Sequence, residues 1–326
     1  MGRKTIFKLT AAALLAGVTT AGALAQTAAW PQKPIRIIIP SPAGAAPDLI
    51  ARIIGDKLNR ALGQPVLMEN RPGAGGIVAM NALKASANDG YTIALVQAAV
   101  VVVTPFTYKE ATYDAERDFE TFAIAGKSPM LFVTNATNPA KNMADAIAMA
   151  KAKPGEVAVG NPFRTSLPHL ASEMAGQKMN VKFQQVSFAN TGQGIQAVVN
   201  GDAAFYVDGA GPLIQLVRSG RLRALASTAD TELPGMEGIP LANKTVPGLN
   251  VYGWLSMHAP KGTPVAIMQR LNTEINAAMA QPDVISKFNE FGTYATPGSM
   301  ADAQKFLKSE IGQFGSVIRT LGLKPE

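Results

Sequence analysis

From Pro34 onward, short runs of aliphatic and β-branched residues alternate with stretches of helical period, and that alternation limits the architectures open to the chain. Ile35-Arg36-Ile37-Ile38-Ile39 is apolar almost throughout, as expected of a strand buried on both faces. A Pro/Ala/Gly turn from Pro40 to Pro47 follows, then a predicted helix starting near Asp48, a good first-turn or capping acid. Ile50, Ile53, Ile54, Leu58 and Leu62 share one face of it, and Gly63 stands where a left-handed cap belongs. Val66–Glu69 reads as the next strand, Asn70–Gly76 as a turn into a helix through Ala85, and Tyr91–Val96 as a third strand. Strands separated by helices pair in parallel, which gives an α/β sheet covered by helices.

The middle of the chain repeats the rhythm. The apolar run Phe122–Val133 precedes a helix from Met143 to Lys153, and strands follow at Val157–Gly160, Val181–Val186, Ala203–Val207 and Leu222–Ala226. After a Pro/Gly-rich stretch, Val251–Ala259 reads as a strand, and helices over Pro264–Ala280 and Ala301–Leu321 close the chain. Two α/β units joined by two strand crossings fit this order better than one sheet.

The first 25 residues read as an address. Arg3, Lys4 and Lys8 precede an apolar run from Leu9 to Ala23, and Ala23-Leu24-Ala25 completes a signal peptide with cleavage expected between Ala25 and Gln26. The run is shorter than the ~20 residues a spanning helix needs. Without those three cations, 27 basic residues face 23 acidic ones, a mild bias toward anionic small molecules and too weak for nucleic acid. The 326-residue chain is 47% hydrophobic, which excludes a disordered protein. It has no cysteine, which excludes disulfides, cysteine-ligated metals and lipid modification of an N-terminal cysteine.

Catalytic motifs are missing. No nucleophile elbow or H-E-x-x-H helix occurs, and the glycine clusters at Gly73–Gly76 and Gly209–Gly211 lack the third glycine of a dinucleotide fingerprint. Asn161 stands where a phosphate loop needs Lys. Ser166 and His169 fit a helix start with Ser166 as cap better than a nucleophile and base. His258, in an apolar strand, reads as a packed or edge histidine. A binding protein without metal or cofactor is the reading that remains. Its ligand would meet Ser41–Asp48, the residues from Gln97 onward, Asn161–Ser166 and Ser187–Gly192, all at the C-terminal ends of expected parallel strands and just before helices. Main-chain N–H groups and the partial positive charge of helix starts suit a carboxylate there.

Gly63-Gln64-Pro65-Val66 with Glu69-Asn70-Arg71-Pro72-Gly73-Ala74-Gly75-Gly76 resembles the solute-binding proteins of tripartite tricarboxylate transporters, the Bordetella uptake gene family. Asp89-Gly90-Tyr91-Thr92, Tyr113-Asp114, Asp118-Phe119, Gly220–Ala226 and Ala259–Pro264 with Leu271-Asn272 extend the likeness over the mature chain. The resemblance implies a type II periplasmic-binding-protein fold, a Venus flytrap of two α/β domains. The expected division is a signal peptide over 1–25, a first domain of 26–126 plus 253–326, and a second of 127–252. It also implies capture of an organic acid for membrane permease subunits, with carboxylates held by backbone amides, hydroxyls and waters.

Carried onto this chain, the family's first loop covers Ser41, Ala43, Gly44, Ala45, Ala46 and Asp48, and the second covers Gln97 and Ala98. The third covers Asn161, Phe163, Arg164, Thr165, Ser166 and His169, with Phe188, Asn190, Thr191 and Asp208 completing the expected site. Ala45 replaces a usual glycine, Pro47 has no N–H, and Gln97-Ala98-Ala99 lacks the usual hydroxyls. Arg164 would take a carboxylate bidentately, with Phe163 or Phe188 covering an apolar body; a solvated surface arginine is the alternative. Fewer hydroxyls point to an acid less polar than citrate or malate, an aromatic or short apolar carboxylate or a dicarboxylate. Two other functions stay open at this point: a ligand-loaded co-sensor for a membrane sensor kinase, and a secreted hydrolase with an unrecognised site.

Overall fold

The computed structural model describes residues 30–325, so the expected signal peptide lies outside the described residues. Its first part contains β1 (Ile35–Ile39), α1 (Ala46–Leu62), β2 (Val66–Asn70), α2 (Ile77–Lys84), β3 (Thr92–Gln97), α3 (Ala98–Val102) and α4 (Thr104–Thr107). Next come β4 (Phe119–Asn135), α5 (Met143–Ala152), β5 (Ala158–Asn161), α6 (Leu167–Met179), β6 (Gln184–Ser187) and α7 (Thr191–Asn200). β7 (Phe205–Gly209), α8 (Ala210–Arg218), β8 (Leu222–Ser227) and α9 (Ala242–Thr245) complete the second α/β unit. β9 (Tyr252–Pro260) returns to the first, and α10 (Val265–Met279), α11 (Pro282–Glu290), β10 (Tyr294–Ala295) and α12 (Met300–Thr320) close it.

The local signals act as expected. α1 buries Ile50, Ile54 and Leu58, and it stops at Gly63, whose φ of 66° only glycine adopts without strain and whose N–H donates to the Asn59 carbonyl. β1 alternates between two cores: Ile35, Ile37 and Ile39 meet α1 and α10, while Ile38 joins the opposite face. At about 2 kcal/mol for each fully buried aliphatic side chain, this strand anchors the first unit.

Strand pairing differs from the expectation in one respect. β4 is 17 residues long and pairs with strands of both units, so one hydrogen-bonded sheet runs β2-β1-β3-β9-β4-β7-β5-β6. The two units are the halves of that sheet, and β4 with β9 forms the crossing. Pro129, which has no N–H to give, lies opposite Tyr252, the first residue of β9. Three local expectations also change. A helix starts directly at Ala98 instead of a loop. β6 starts at Gln184, not Val181, because Asn180 caps α6 at φ 50° and the Val181 N–H folds back onto the Gly176 carbonyl. α11 and β10 fill a stretch the sequence left blank. Among the described residues, no helix is long and apolar enough to cross a membrane.

Candidate functional site

Strand direction places the site. β1 and β3 are parallel, β3 is antiparallel to β9, and β9 is antiparallel to β4, so β1 and β3 run in the sense of β4. β7 is antiparallel to β4, and β5 and β6 are parallel to β7. The C-terminal ends of the two groups therefore point at each other. Gln97 at the end of β3 faces Leu255, which faces Gly126 of β4; Gly209 at the end of β7 faces Met130. At ~3.3 Å per residue, the four steps from Gly126 to Met130 separate the strand ends by ~13 Å along the sheet, room for a small molecule.

On the first side, Asp48 is buried beneath the loop after β1. Its carboxylate accepts hydrogen bonds from the Gly44 N–H (2.8 Å), Arg52 Nε (2.9 Å) and Asn70 Nδ2 (2.9 Å). Asn70 also donates to the Ser41 carbonyl. Burial opposes ionisation, but Arg52, the Gly44 amide and Asn70 together hold the carboxyl below its usual range. Asp48 thus fixes the loop from below. Gly44 takes φ 82°, a conformation that favours glycine. Ser41, also buried, accepts from Gln97 Nε2 at 2.7 Å, while Gln97 Oε1 is buried with no partner among the described residues. Ala45 is the uncapped start of α1, with Ala43 and Ala46 exposed beside it, and Ala98 opens α3. The amides of Ala43 and Ala46 have no acceptor among the described residues and offer an anion main-chain donors.

On the second side, Asn161 is fully buried and accepts from Ser187 Oγ at 2.8 Å, tying the loops after β5 and β6 together. Ser166 caps α6 by accepting the His169 N–H, and the Thr165 N–H donates to His169 Nδ1 at 3.3 Å. That pair is a helix cap; the imidazole is engaged by the main chain instead of by the Ser166 hydroxyl. Burial, aided by the charge of Arg164, pushes the His169 imidazole down to about 4. Asn190 caps α7. Asp208 is buried and accepts from Thr191 Oγ1 (2.9 Å), Tyr206 OH (2.9 Å) and the Gly209 N–H (2.8 Å), with burial raising its pKa despite them. Tyr206 was not singled out from sequence, although its place two residues before Asp208 puts both on one face of β7. Phe188 packs against its ring at 6.5 Å, and a Cβ on Gly194 would come within 2.2 Å of it. Thr191 and Gly192 present further amides without acceptors among the described residues.

Arg164 is exposed and lines a recess with Thr107, Tyr108 and the segment after α12; Ser41 and Gln97 are not among its walls. Phe163 is 54% exposed beside it. His258 lies far inside the sheet, hydrogen-bonded through Nδ1 with Thr121 (3.1 Å) and through Nε2 with Ser256 (2.6 Å). It is the packed histidine of the two expected alternatives. Among the described residues, no group of three or more histidines and acids is placed to hold a metal ion.

The model of the tripartite tricarboxylate transporter family receptor matches residues 50–323. The chain belongs to that family. BugT of Bordetella pertussis is 29% identical over 94% of this chain and 95% of its own length. An R. palustris protein solved with adipate is 26% identical, with a TM-score of 0.76 over 91% of this chain and 100% of that one. A TctC solute binding protein from Polaromonas, 22% identical and covering 90% of this chain and 100% of its own, superposes with a TM-score of 0.82 and shares the fold. This member of the receptor family is accordingly a solute-binding protein with the periplasmic-binding-protein fold, two α/β domains joined by the crossing strands β4 and β9.

Proposed function

We propose that the protein captures an organic carboxylate between its two halves and presents it to the membrane permease of a tripartite tricarboxylate transporter. The observation that carries this reading is the pair of opposed strand-end groups ~13 Å apart, each lined by main-chain amides without acceptors. Carboxylate oxygens accept such donors from both sides without a buried lysine. Asp48, Asn161 and Asp208 hold the loops in place, and Ser41, Gln97, Asn190 and Thr191 line the gap. The first domain comprises 26–126 and 253–326, the second 127–252, and the halves hinge where β4 and β9 exchange partners. The N-terminal segment directs the chain to the periplasm and is cleaved after Ala25.

Ala43, Ala45, Ala98 and Phe188 make the gap less polar than a hydroxyl-lined one, which favours an aromatic acid or a dicarboxylate with an apolar spacer. The R. palustris relative solved with adipate fits that class. A thermal-shift screen of benzoate, adipate, malate and citrate tests it. A ligand at a hundredfold excess over its Kd stabilises the folded state by about 2.7 kcal/mol and raises the melting temperature. The apolar acids should give the largest shifts. A screen in which no acid stabilises, or in which the corresponding amides stabilise equally, contradicts the reading.

A further inference from the structure

We infer that the recess holding Arg164 is a second binding site, for a small carboxylate with an apolar or aromatic body. The recess encloses about 400 Å³ where the end of α4, the loop after β5 and the segment after α12 meet. That volume is in the range of small-molecule sites. Arg164 and Lys324 both line it, and among the described residues no acid is one of its walls. Neither cation forms an ion pair among the described residues, where ten other pairs are found. The charge of Arg164 is felt by its neighbours, since it helps depress the His169 imidazole.

The remaining walls narrow the ligand. Thr107 spends its hydroxyl hydrogen on the Val103 carbonyl and Thr165 spends its own on the Arg164 carbonyl. The side-chain donors left for an anion are Arg164, Lys324 and the Tyr108 hydroxyl. Tyr108 is 40% exposed, and its ring rests on Gly75, where a Cβ would come within 3.1 Å of it. The Tyr108 ring therefore lies on the recess wall opposite the loop that carries Arg164, with Leu323 as the apolar wall beside Lys324. A guanidinium takes a carboxylate through two parallel hydrogen bonds, and the Tyr108 ring covers the body attached to it. Held from both halves, such a ligand favours the arrangement in which they meet.

Fluorine NMR with 4-fluorobenzoate tests the site on the mature protein. Lys324→Gln and Arg164→Ala change exposed side chains and should leave the fold intact. With the cleft also open to benzoate, two saturable bound signals are expected. Each substitution should weaken the recess signal at least tenfold and leave the other unchanged, and Arg164→Lys should restore part of it. The carboxylate screen repeated on Lys324→Gln should keep its shifts, so the second site and the cleft fail independently. The absence of any bound signal that both substitutions weaken, or no bound signal at millimolar probe, overturns the site. Inorganic phosphate binding there in place of 4-fluorobenzoate also overturns the assignment to a carboxylate with an apolar body.

Discussion

Asp48→Ala is expected to lower folding stability by about 3 kcal/mol and to weaken acid capture at least tenfold. The side chain is 1% exposed and receives three hydrogen bonds, two of them from groups that themselves shape the loop after β1. Removing it leaves the Gly44 amide unpaired and leaves the Asn70 Nδ2 with only the Ser41 carbonyl. Arg52, nearly half exposed, returns to water, so its share of the loss is small. Loop disorder then misplaces the amides of Ala43 and Ala46. Asp48→Asn keeps the volume but turns a carboxamide NH2 toward donors, and it should recover less than half of the loss. Urea denaturation and calorimetric titration read the two effects separately. Wild-type stability in Asp48→Ala would show that the loop is held by other contacts.

The second large effect is a loss of stability in mild acid. Burial holds the His258 imidazole down to about 3, and His169 is held at about 4. The unfolded chain protonates both near 6.5, so below that pH it binds protons that the folded state refuses. Each histidine removes about 1.4 kcal/mol per pH unit from 6.5 down to its folded pKa. Asp208, Glu173 and Glu310, whose pKa values burial raises, act in the opposite sense at the lower end of that window. The effect of one histidine is therefore isolated by difference. The stability of wild type minus that of His258→Gln should be greatest at pH 7 and above and should shrink as pH falls through 6.5. A difference independent of pH between 7 and 4 would mean that His258 takes up its proton as readily in the folded protein as in the unfolded chain.

Much of the fold is legible in local pattern, because α1, β1 and β3 obey rules that need only near neighbours. The isoleucine spacing of α1 and its stop at Gly63 are such signals. What escapes needs distant partners. Ala98–Val102 is rich in β-branched valine, yet it forms a helix because its buried side chains pack with Leu167 and Phe314 in one core. The unbroken course of β4 through Lys127-Ser128-Pro129 depends on β9 and β10 lying on its flanks. The family was readable from the run Glu69–Gly76 and its companions. The roles within the site were less so: Asp48 meets Asn70 and Asn161 meets Ser187 across gaps of 22 and 26 residues. Sequence therefore identifies these residues as neighbours of the site without revealing that they are its internal supports.

The most direct measurement is a crystal structure grown with the acid that stabilises the protein most. The account predicts its carboxylate in the gap between Gln97 and Gly209, within 3.2 Å of main-chain nitrogens from both halves of the molecule. An acid seated outside that gap, or held there by one half alone, would contradict it.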